Sequence, residues 1–239
     1  MLELNELLDT ATLAQSYQRD RRIQIRDVLT ESAAAQLADM LRSATPWGLA
    51  RQSDVLPPAW VRADKLAALP PEQRQKEEDS VLRTMEDRGY AFRYSAYPMV
   101  TAYLERWHPG SQHEELLEAL NSAPFIDFVR RVTGIAELVK GDAQATLYAP
   151  GQFLAQHDDS EQARGRRVAY VLNFTDADWR TDWGGYLNFF DEAGDIVVGY
   201  RPKFNTLSLF SVPQAHHVSY VPPFAPRSRY AITGWFRDQ

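Results

Sequence analysis

The pattern of apolar and polar residues changes character near Asp142. Before that point apolar residues recur at roughly helical spacing, and the clearest segments are 4–17, 30–44 and 113–134. Pro124 divides the last segment into two short helices, and Gly134 is suited to closing the second of them. The first part of the chain is therefore expected to be mainly helical.

Two other segments of this first part have different patterns. The sequence RIQIRDVL, at residues 22–29, alternates between polar and apolar positions, which predicts a strand. The stretch 69–88 contains a pair of prolines near its start and many charges of both signs. This charge pattern is typical of a solvated helix.

After Asp142 the chain consists of short segments with strand character, separated by Gly, Pro, Asn or Asp turns. There are eight of them, at residues 143–150, 152–158, 166–175, 185–191, 195–200, 205–211, 217–221 and 229–236. Such a series predicts an antiparallel sandwich or jelly roll. Because no flexible linker precedes it, we expect one α+β domain over residues 1–239, in which the helices of 1–141 buttress a sheet of the core at 142–239.

Composition narrows the classes of function. The chain has 239 residues, of which 44% are hydrophobic, enough to bury one good core. Its apolar runs are too short to span a membrane, and the start MLELNELLDT lacks the features of a signal peptide, which favours the cytoplasm. With no cysteine there is no thiolate metal site or cysteine nucleophile. A net charge of −6 argues against a nucleic acid or an anionic membrane, so the expected partner is a protein or small-molecule substrate.

The stretch FLAQHDDS places a histidine and two aspartates directly after apolar residues. His157 and Asp159 end a predicted strand, where residues two apart project from one face and can hold one ion, while Asp158 points away. The competing pair, His113 and Glu115, lies in a predicted helix, in which residues two apart diverge by about 200°. His157 and Asp159 are therefore the predicted metal ligands.

A third ligand is expected from a later strand. His216 and His217 are the remaining histidines after that point, and the alternation of HHVSYV does not choose between them. Two histidines and one carboxylate with open positions are typical of non-heme Fe(II) oxygenases. A hydrolytic zinc site with the same ligand types, or histidines that merely lie at the surface, are the alternatives at this point.

An arginine on the last predicted strand favours the oxygenase. In SRYAITGWF, alternation places Arg229, Thr233 and Trp235 on one face. A guanidinium beside small residues suits a pocket in which arginine binds a carboxylate through two hydrogen bonds, as the distal carboxylate of 2-oxoglutarate requires. Arg227 is a close competitor, although APRSR places it in a loop. A surface ion pair of Arg229 is the alternative.

Several of these motifs together resemble a known family. HDD at 157–159, HHV at 216–218 and RYAITGWF at 229–236 resemble the H-x-D, H and R signature of 2-oxoglutarate- and Fe(II)-dependent oxygenases. The segments LYAPGQFLAQHDD, RRVAYVLNFTDADW and GGYLNFF support the resemblance in the family's order. Within this family the chain is most similar to the prolyl-hydroxylase-like branch. The resemblance covers about residues 125–239.

The resemblance implies a double-stranded β-helix (jelly roll) that uses Fe(II), 2-oxoglutarate and O2. The family's metal ligands match His157, Asp159 and His216, and the family's H-x-V pattern selects His216 over His217. Arg229 matches the residue that anchors the distal carboxylate of 2-oxoglutarate. No further side chain is expected to act as a general acid or a nucleophile.

Three more residues are expected near the co-substrate. Tyr148 matches a pocket-lining tyrosine of the family, and Thr233 shares the predicted face of Arg229. Asn173 is a departure, because the family often has a tyrosine there that contacts the distal carboxylate. The shorter asparagine can still donate a hydrogen bond but reaches less far.

Substrate-binding residues are predicted from aromatic and arginine side chains expected at the mouth of the site: Trp179, Arg180, Trp183, Arg93 and Trp235. The implied reaction is hydroxylation of a C–H bond, first of all in a prolyl residue of a protein, with release of succinate and CO2. A free amino acid or small metabolite is the alternative substrate, and a jelly-roll metal hydrolase or a non-catalytic binding module is the alternative class. The segment SEQARGRR after Asp159 is shorter than the substrate-covering loop of oxygen-sensing relatives, which weakens the transfer of their peptide specificity.

Overall fold

Helices dominate the outer surface of one side of the molecule. The computed structural model describes residues 2–160 and 165–239, so the middle of the segment SEQARGRR lies outside the described residues. The α-helices are α1 (Thr10–Asp20), α2 (Glu31–Asp39), α3 (Ala63–Ala68), α4 (Pro71–Glu86), α5 (Met99–Leu104), α6 (Gln112–Leu120) and α7 (Ala123–Thr133). A π-helical turn, Met40–Ala44, continues α2. Within the described ranges, no helix has both the length and the apolar character needed to cross a membrane.

The strands form one large antiparallel sheet. They are β1 (Arg22–Arg26), β2 (Gly48–Gln52), β3 (Ala59–Val61), β4 (Phe92–Tyr97), β5 (Lys140–Gly141), β6 (Gln144–Tyr148), β7 (Phe153–His157), β8 (Arg166–Asn173), β9 (Leu187–Phe190), β10 (Ile196–Tyr200), β11 (Thr206–Ser211), β12 (His216–Val218) and β13 (Arg229–Arg237). The eight strands predicted after Asp142 are present as β6 to β13. The predicted helices are also present, although α1 begins later than its apolar pattern.

The strand order is that of a jelly roll rather than a meander. Along the sheet it runs β1-β11-β8-β13-β6-β4-β7-β12-β9-β10, with β2 and β3 beside β4 and β5 beside β13. Residues of β8, β13, β6, β4, β7 and β12 line one common cavity, so the sheet curves round into a nearly closed barrel. The predicted fold class, a double-stranded β-helix buttressed by helices, is confirmed.

The first half of the chain contributes more strand than predicted. Strand β4 lies between β6 and β7, where Ala96 pairs with Thr146 and Phe92 pairs with Leu154. Strands β2 and β3 extend the sheet beyond β4. The N-terminal half therefore supplies part of the wall of the barrel as well as its helical support.

Helices α1, α2, α6 and α7 pack on the face of the sheet that points away from the cavity. Val129 of α7 belongs to the same buried cluster as Leu172, Leu209 and Ile232 from three adjacent strands. Gly134 ends α7 in the left-handed conformation, with a φ of 73°, as glycine readily does. Because alternate residues of each strand are committed to this helical layer, the remaining ones face the cavity.

Candidate metal and co-substrate site

A cavity of about 520 Å³ lies inside the barrel. Arg229 and Tyr148 are fully buried at one end of it, which we call the inner end. Arg166, Arg237 and Asp142 also line the cavity and are only partly buried, and we call their end the outer end. Strand β13 connects the two ends, and its eight-residue advance from Arg229 to Arg237 spans about 26 Å.

His157, Asp159 and His216 converge on the wall of this cavity, and one ligand atom of each lies within 4.8 Å of the others. Nε2 of His157 is 3.6 Å from Oδ1 of Asp159, and Nε2 of His216 is 3.8 Å from Oδ2. The β7–β12 register places His216 directly opposite His157. One cation could therefore contact all three side chains.

Backbone carbonyls orient both imidazole rings. Nδ1 of His157 lies 3.0 Å from the carbonyl oxygen of Ala155, and Nδ1 of His216 lies 2.7 Å from that of Gln214. Because a carbonyl only accepts, each Nδ1 carries the proton and each Nε2 offers its lone pair to the centre of the group. Burial, together with neighbouring His157, lowers the pKa of His216 to about 4, so this ring is neutral at neutral pH.

Asp159 reaches the site from a turn. Strand β7 ends at His157, and Asp159 has a φ of 66°, in the left-handed region that aspartate adopts more readily than most residues. Its buried carboxylate accepts a hydrogen bond of 2.9 Å from the indole N–H of Trp235. Asp158 instead accepts a bond from the backbone N–H of Ser160. His157 and Asp159 do lie together, but the turn, not the predicted strand alternation, is the cause.

His217 lies on the opposite face of β12 from His216. Its Nε2 is 2.9 Å from the side-chain nitrogen of Asn188, and its ring meets Phe190 edge-on at 4.8 Å. Successive residues of a strand project to opposite sides, so only His216 turns into the cavity.

Arg229 forms the inner end and is 1% exposed. Its guanidinium carbon lies 4.9 Å from the ring centre of Tyr148, its register partner on β6. Among the described residues, Nε and Nη1 of Arg229 have no hydrogen-bond partner. Burial lowers the pKa of Arg229, and Tyr148 acts in the opposite direction. A buried guanidinium with two unsatisfied N–H groups is costly unless an anion binds to it.

The other predicted co-substrate residues differ in whether they line the cavity. Tyr148 and Thr233 line the cavity, and Tyr94 of β4 stacks on Tyr148 with 5.1 Å between the ring centres. Asn173 is buried on the same side of the sheet, opposite Ala231, but it is not among the lining residues in the described part of the chain. This agrees with its shorter reach.

Trp235 alone of the five predicted substrate-binding residues lines the cavity. Trp179 is buried, with Trp183 against it edge-on at 5.4 Å, and Arg180 is exposed and pairs with an aspartate in the same loop. A Cβ added to Gly185 would lie 3.3 Å from Cδ of Arg229 and 3.5 Å from the Trp179 ring. The loop therefore packs behind the inner end instead of lining the mouth.

Arg93 points away from the cavity for a reason of strand geometry. Phe92 and Tyr94, its neighbours on β4, line the cavity, whereas Arg93 pairs with Glu78 of α4 at 3.3 Å. Arg93 thus lies outside the cavity, although the segment that contains it forms part of the cavity wall. Tyr90, which also lines the cavity and whose ring centre is 6.3 Å from that of His157, was missed.

The barrel, the two histidines with one carboxylate and the buried arginine are together the features that a metal- and 2-oxo-acid-dependent oxygenase site requires. Residues 143–237 match the model of the 2OG-Fe(II) oxygenase superfamily. This segment contains His157, Asp159, His216 and Arg229. The predicted cofactors, Fe(II), 2-oxoglutarate and O2, are confirmed as those of the superfamily.

Solved structures of low sequence identity share the fold. A prolyl-4-hydroxylase from Pseudomonas putida is 17% identical with a TM-score of 0.59, and the alignment covers 100% of this chain and 99% of that one. A 2OG-Fe(II) oxygenase family oxidoreductase from Burkholderia pseudomallei is 13% identical with a TM-score of 0.64, over 100% and 97%. A prolyl hydroxylase from Trichoplax adhaerens, solved with a peptide fragment of the oxygen degradation domain of hypoxia inducible factor, is 15% identical with a TM-score of 0.60, over 96% and 89%. No curated protein matches the sequence significantly.

Proposed function

We propose that this protein binds Fe(II) through His157, Asp159 and His216, binds 2-oxoglutarate through Arg229, and hydroxylates a prolyl residue of a protein substrate. The donor set supports iron, because two neutral imidazoles and one carboxylate leave positions open for co-substrate and O2. When bound, these groups supply the oxidation: 2-oxoglutarate loses CO2 and takes up one atom of O2 to become succinate, while the other atom enters the substrate C–H bond.

Arg229 is the observation that carries this proposal. Within the described part of the chain, Nε and Nη1 of its guanidinium have no hydrogen-bond partner, and they lie at the closed end of a cavity whose wall also holds the three candidate ligands. A dicarboxylate fits this arrangement, since one carboxylate can pair with Arg229 while the rest of the molecule extends toward the ligands. A zinc hydrolase has no need of such a cation.

The chain's own residues position the reactants and exclude water. The carbonyls of Ala155 and Gln214 hold the imidazoles, and the indole of Trp235 holds the carboxylate of Asp159, so the ligands are oriented before any metal arrives. The stacked rings of Tyr94 and Tyr148 close one side of the inner end. A dry inner end strengthens the pairing of Arg229 with an anion.

An aromatic wall supports a prolyl substrate. Tyr90 and Phe92 line the cavity on the His157 side, with 6.0 Å between their ring centres, and Tyr90 is 37% exposed. Flat apolar surfaces of this kind can hold a pyrrolidine ring near the metal ligands. Two solved structures of the same fold are prolyl hydroxylases, which adds the support of analogy.

Calorimetry with Mn(II) in place of iron tests the class of function. Wild-type protein should bind 2-oxoglutarate, Arg229→Leu should lose about 100-fold or more in affinity, and Arg229→Lys should recover part of it. Arg227→Leu is the matched control, because Arg227 is exposed and pairs with Asp176 and Asp178. A wild-type protein that binds metal but not 2-oxoglutarate would favour a hydrolase or a binding module.

The prolyl part of the proposal needs a separate measurement. Proline-containing peptides and free amino acids are incubated with protein, Fe(II) and O2, with and without 2-oxoglutarate, and the products are analysed by mass spectrometry. A gain of one oxygen on a prolyl residue that depends on 2-oxoglutarate is expected. Oxidation of a free amino acid alone would replace the prolyl substrate with the alternative while leaving the class intact.

A further inference from the structure

The loop between β8 and β9, residues 174–186, is anchored behind the inner end of the cavity. Its Trp179 is 1% exposed, and the indole N–H of this residue donates to the carbonyl oxygen of Gly184 at 3.0 Å. The carbonyl oxygen of Trp179 in turn accepts a hydrogen bond of 3.2 Å from Nη1 of Arg201. A buried indole with a satisfied N–H is held in one position. Nothing in the hydroxylation reaction itself requires this ring.

Gly185 leaves little space between Trp179 and Arg229. A Cβ at Gly185 would lie 3.3 Å from Cδ of Arg229, 3.5 Å from Cζ2 of Trp179 and 3.5 Å from Cγ2 of Val221. The backbone N–H of Gly185 donates to the carbonyl oxygen of Ser219 at 3.1 Å, and its φ of 68° is one that glycine adopts without strain. The glycine backbone and the indole ring therefore lie close against the methylene chain of Arg229.

Tyr148 faces the charged end of the same arginine side chain. The guanidinium carbon of Arg229 lies 4.9 Å from the centre of the Tyr148 ring. Tyr148, Trp179 and Val221 belong to one buried apolar cluster. A long arginine side chain has many rotamers in solution, and close packing removes this freedom. The guanidinium is thus held at a fixed depth before an anion binds.

We propose that Trp179 is a positioning residue: through Gly185 it sets the depth at which Arg229 closes the inner end, and so makes the cavity select 2-oxoglutarate over the homologue with one more methylene. The inference rests on the proposed function, because it takes Arg229 as the anchor of the distal carboxylate. The protein then fixes both ends of the co-substrate, with Arg229 at one end and the candidate metal ligands at the other. One extra methylene in a pocket of fixed length weakens binding by about tenfold or more.

Calorimetry with Mn(II) in place of iron compares 2-oxoglutarate with 2-oxoadipate, the longer homologue. Wild-type protein should bind 2-oxoglutarate at least about tenfold more tightly. Trp179→Leu leaves a space behind Gly185 into which Arg229 can retreat, so this ratio should fall to about threefold or less, with Mn(II) affinity within about twofold of wild type. A purely structural role of the ring would weaken both acids alike, so an unchanged ratio in Trp179→Leu overturns the proposal.

Trp183→Leu is the matched control. Trp183 lies in the same loop and meets Trp179 edge-on, yet it is not among the three side chains nearest to a Cβ at Gly185. The ratio of affinities in this variant should stay within about twofold of the wild-type ratio. An equal change in Trp183→Leu and Trp179→Leu would contradict the assignment to Trp179.

Gly185→Ala tests the opposite direction. The added Cβ presses on Cδ of Arg229 and moves the guanidinium toward the cavity, so 2-oxoglutarate should bind more weakly and the ratio over 2-oxoadipate should rise. This variant keeps every apolar side chain of the loop, so it decides the question where Trp179→Leu does not fold. A ratio at or below the wild-type value would contradict the proposal.

The Nε–H signal of Arg229 follows the position of this side chain without any 2-oxo acid. In 15N-labelled protein loaded with Zn(II), the signal is identified by its loss in Arg229→Lys. Trp179→Leu should shift or broaden it, and Trp183→Leu should leave it unchanged. If wild-type protein binds metal but neither acid, the proposed function fails and the selectivity fails with it, while the NMR comparison still decides whether Trp179 positions Arg229. If 2-oxoglutarate binds and the Arg229 signal is the same in Trp179→Leu and wild type, only the positioning role fails.

Discussion

Each end of the cavity contains an arginine, but the two guanidinium groups differ in exposure and in the groups that surround them. At the inner end Arg229 is 1% exposed, packs on Tyr148 and has two N–H groups without a partner among the described residues. At the outer end Arg166 is partly exposed and stacks on Trp235, beside the Arg237–Asp142 pair. The first arrangement is costly without a bound anion, whereas in the second an indole ring faces the charge of Arg166.

This difference matches two kinds of ligand. A sealed, desolvated cation suits a small anion of fixed shape, such as the distal carboxylate of 2-oxoglutarate, because pairing there is strong and geometrically selective. A partly solvated cation suits a larger ligand that must enter, react and leave. Trp235, which donates to the candidate ligand Asp159, lies between Arg229 and Arg237 along β13.

The largest effect is expected at the candidate metal site. Asp159→Ala removes the candidate carboxylate ligand and should lower affinity for Mn(II) by about 100-fold or more, measured by calorimetry, whereas Asp158→Ala should be mild. Likewise His216→Ala should lose metal and His217→Ala should retain it, because His217 is turned toward Asn188. Equal losses within either pair would mean that the arrangement of ligands is wrong.

Independence of the two ends is the next prediction. Arg229→Leu should lower 2-oxoglutarate affinity about 100-fold or more, and Arg166→Gln should leave it within about twofold of wild type. The reason is distance: Arg229 begins β13, whereas Arg166 pairs with Arg237 at the far end of that strand. Calorimetry on both single variants and the double variant measures this, and a large loss in Arg166→Gln would mean that the two ends act as one site.

A smaller effect is expected from Tyr148 at the inner end. Tyr148→Phe keeps the ring that packs on Arg229 but removes its hydroxyl, so 2-oxoglutarate affinity should fall about threefold to tenfold in calorimetry. Tyr17→Phe is the control, because the hydroxyl of Tyr17 lies 2.7 Å from Ser211 and neither residue lines the cavity. Equal 2-oxoglutarate affinities of Tyr148→Phe and wild type would remove this hydroxyl from the site.

The smallest effect is expected at the outer end. Asp142→Asn weakens the ion pair with Arg237 and should lower the free energy of unfolding by about 1 kcal/mol or less, since partly exposed ion pairs stabilise weakly. The loss should shrink as salt increases. Urea unfolding at two salt concentrations measures it, and a loss that does not depend on salt would contradict the electrostatic account of the outer end.

Much of the candidate site could be predicted because its pattern is local. Three patterns are visible in the sequence: the H-x-D spacing, the later histidine and the alternation of β13. Together they predicted that His157, Asp159, His216 and Arg229 lie close to one another. Alternation was not always the physical cause, since Asp159 is brought to the site by a turn with a φ of 66°. The choice of Asp159 still agrees with the structure, because the turn brings its carboxylate beside His157, where strand alternation was expected to place it.

The rest depended on which distant strands become neighbours. The alternation of FRYSAY is visible in the sequence, but only the insertion of β4 between β6 and β7 puts Phe92 and Tyr94 inside the barrel and Arg93 outside it. The aromatic loop with Trp179 has the composition of a binding surface, yet it packs behind Arg229.

The sequence by itself determined the elements, the class of chemistry and the residue types at its centre, because strand periodicity and ligand spacing act over a few residues. Only the tertiary structure decided which end of the cavity is sealed, that Arg166 stacks on Trp235, and that the predicted substrate residues other than Trp235 lie elsewhere. These features arise from pairing between strands far apart in the chain, and the side of a strand that becomes the interior is fixed only when its partners and its covering helices are in place.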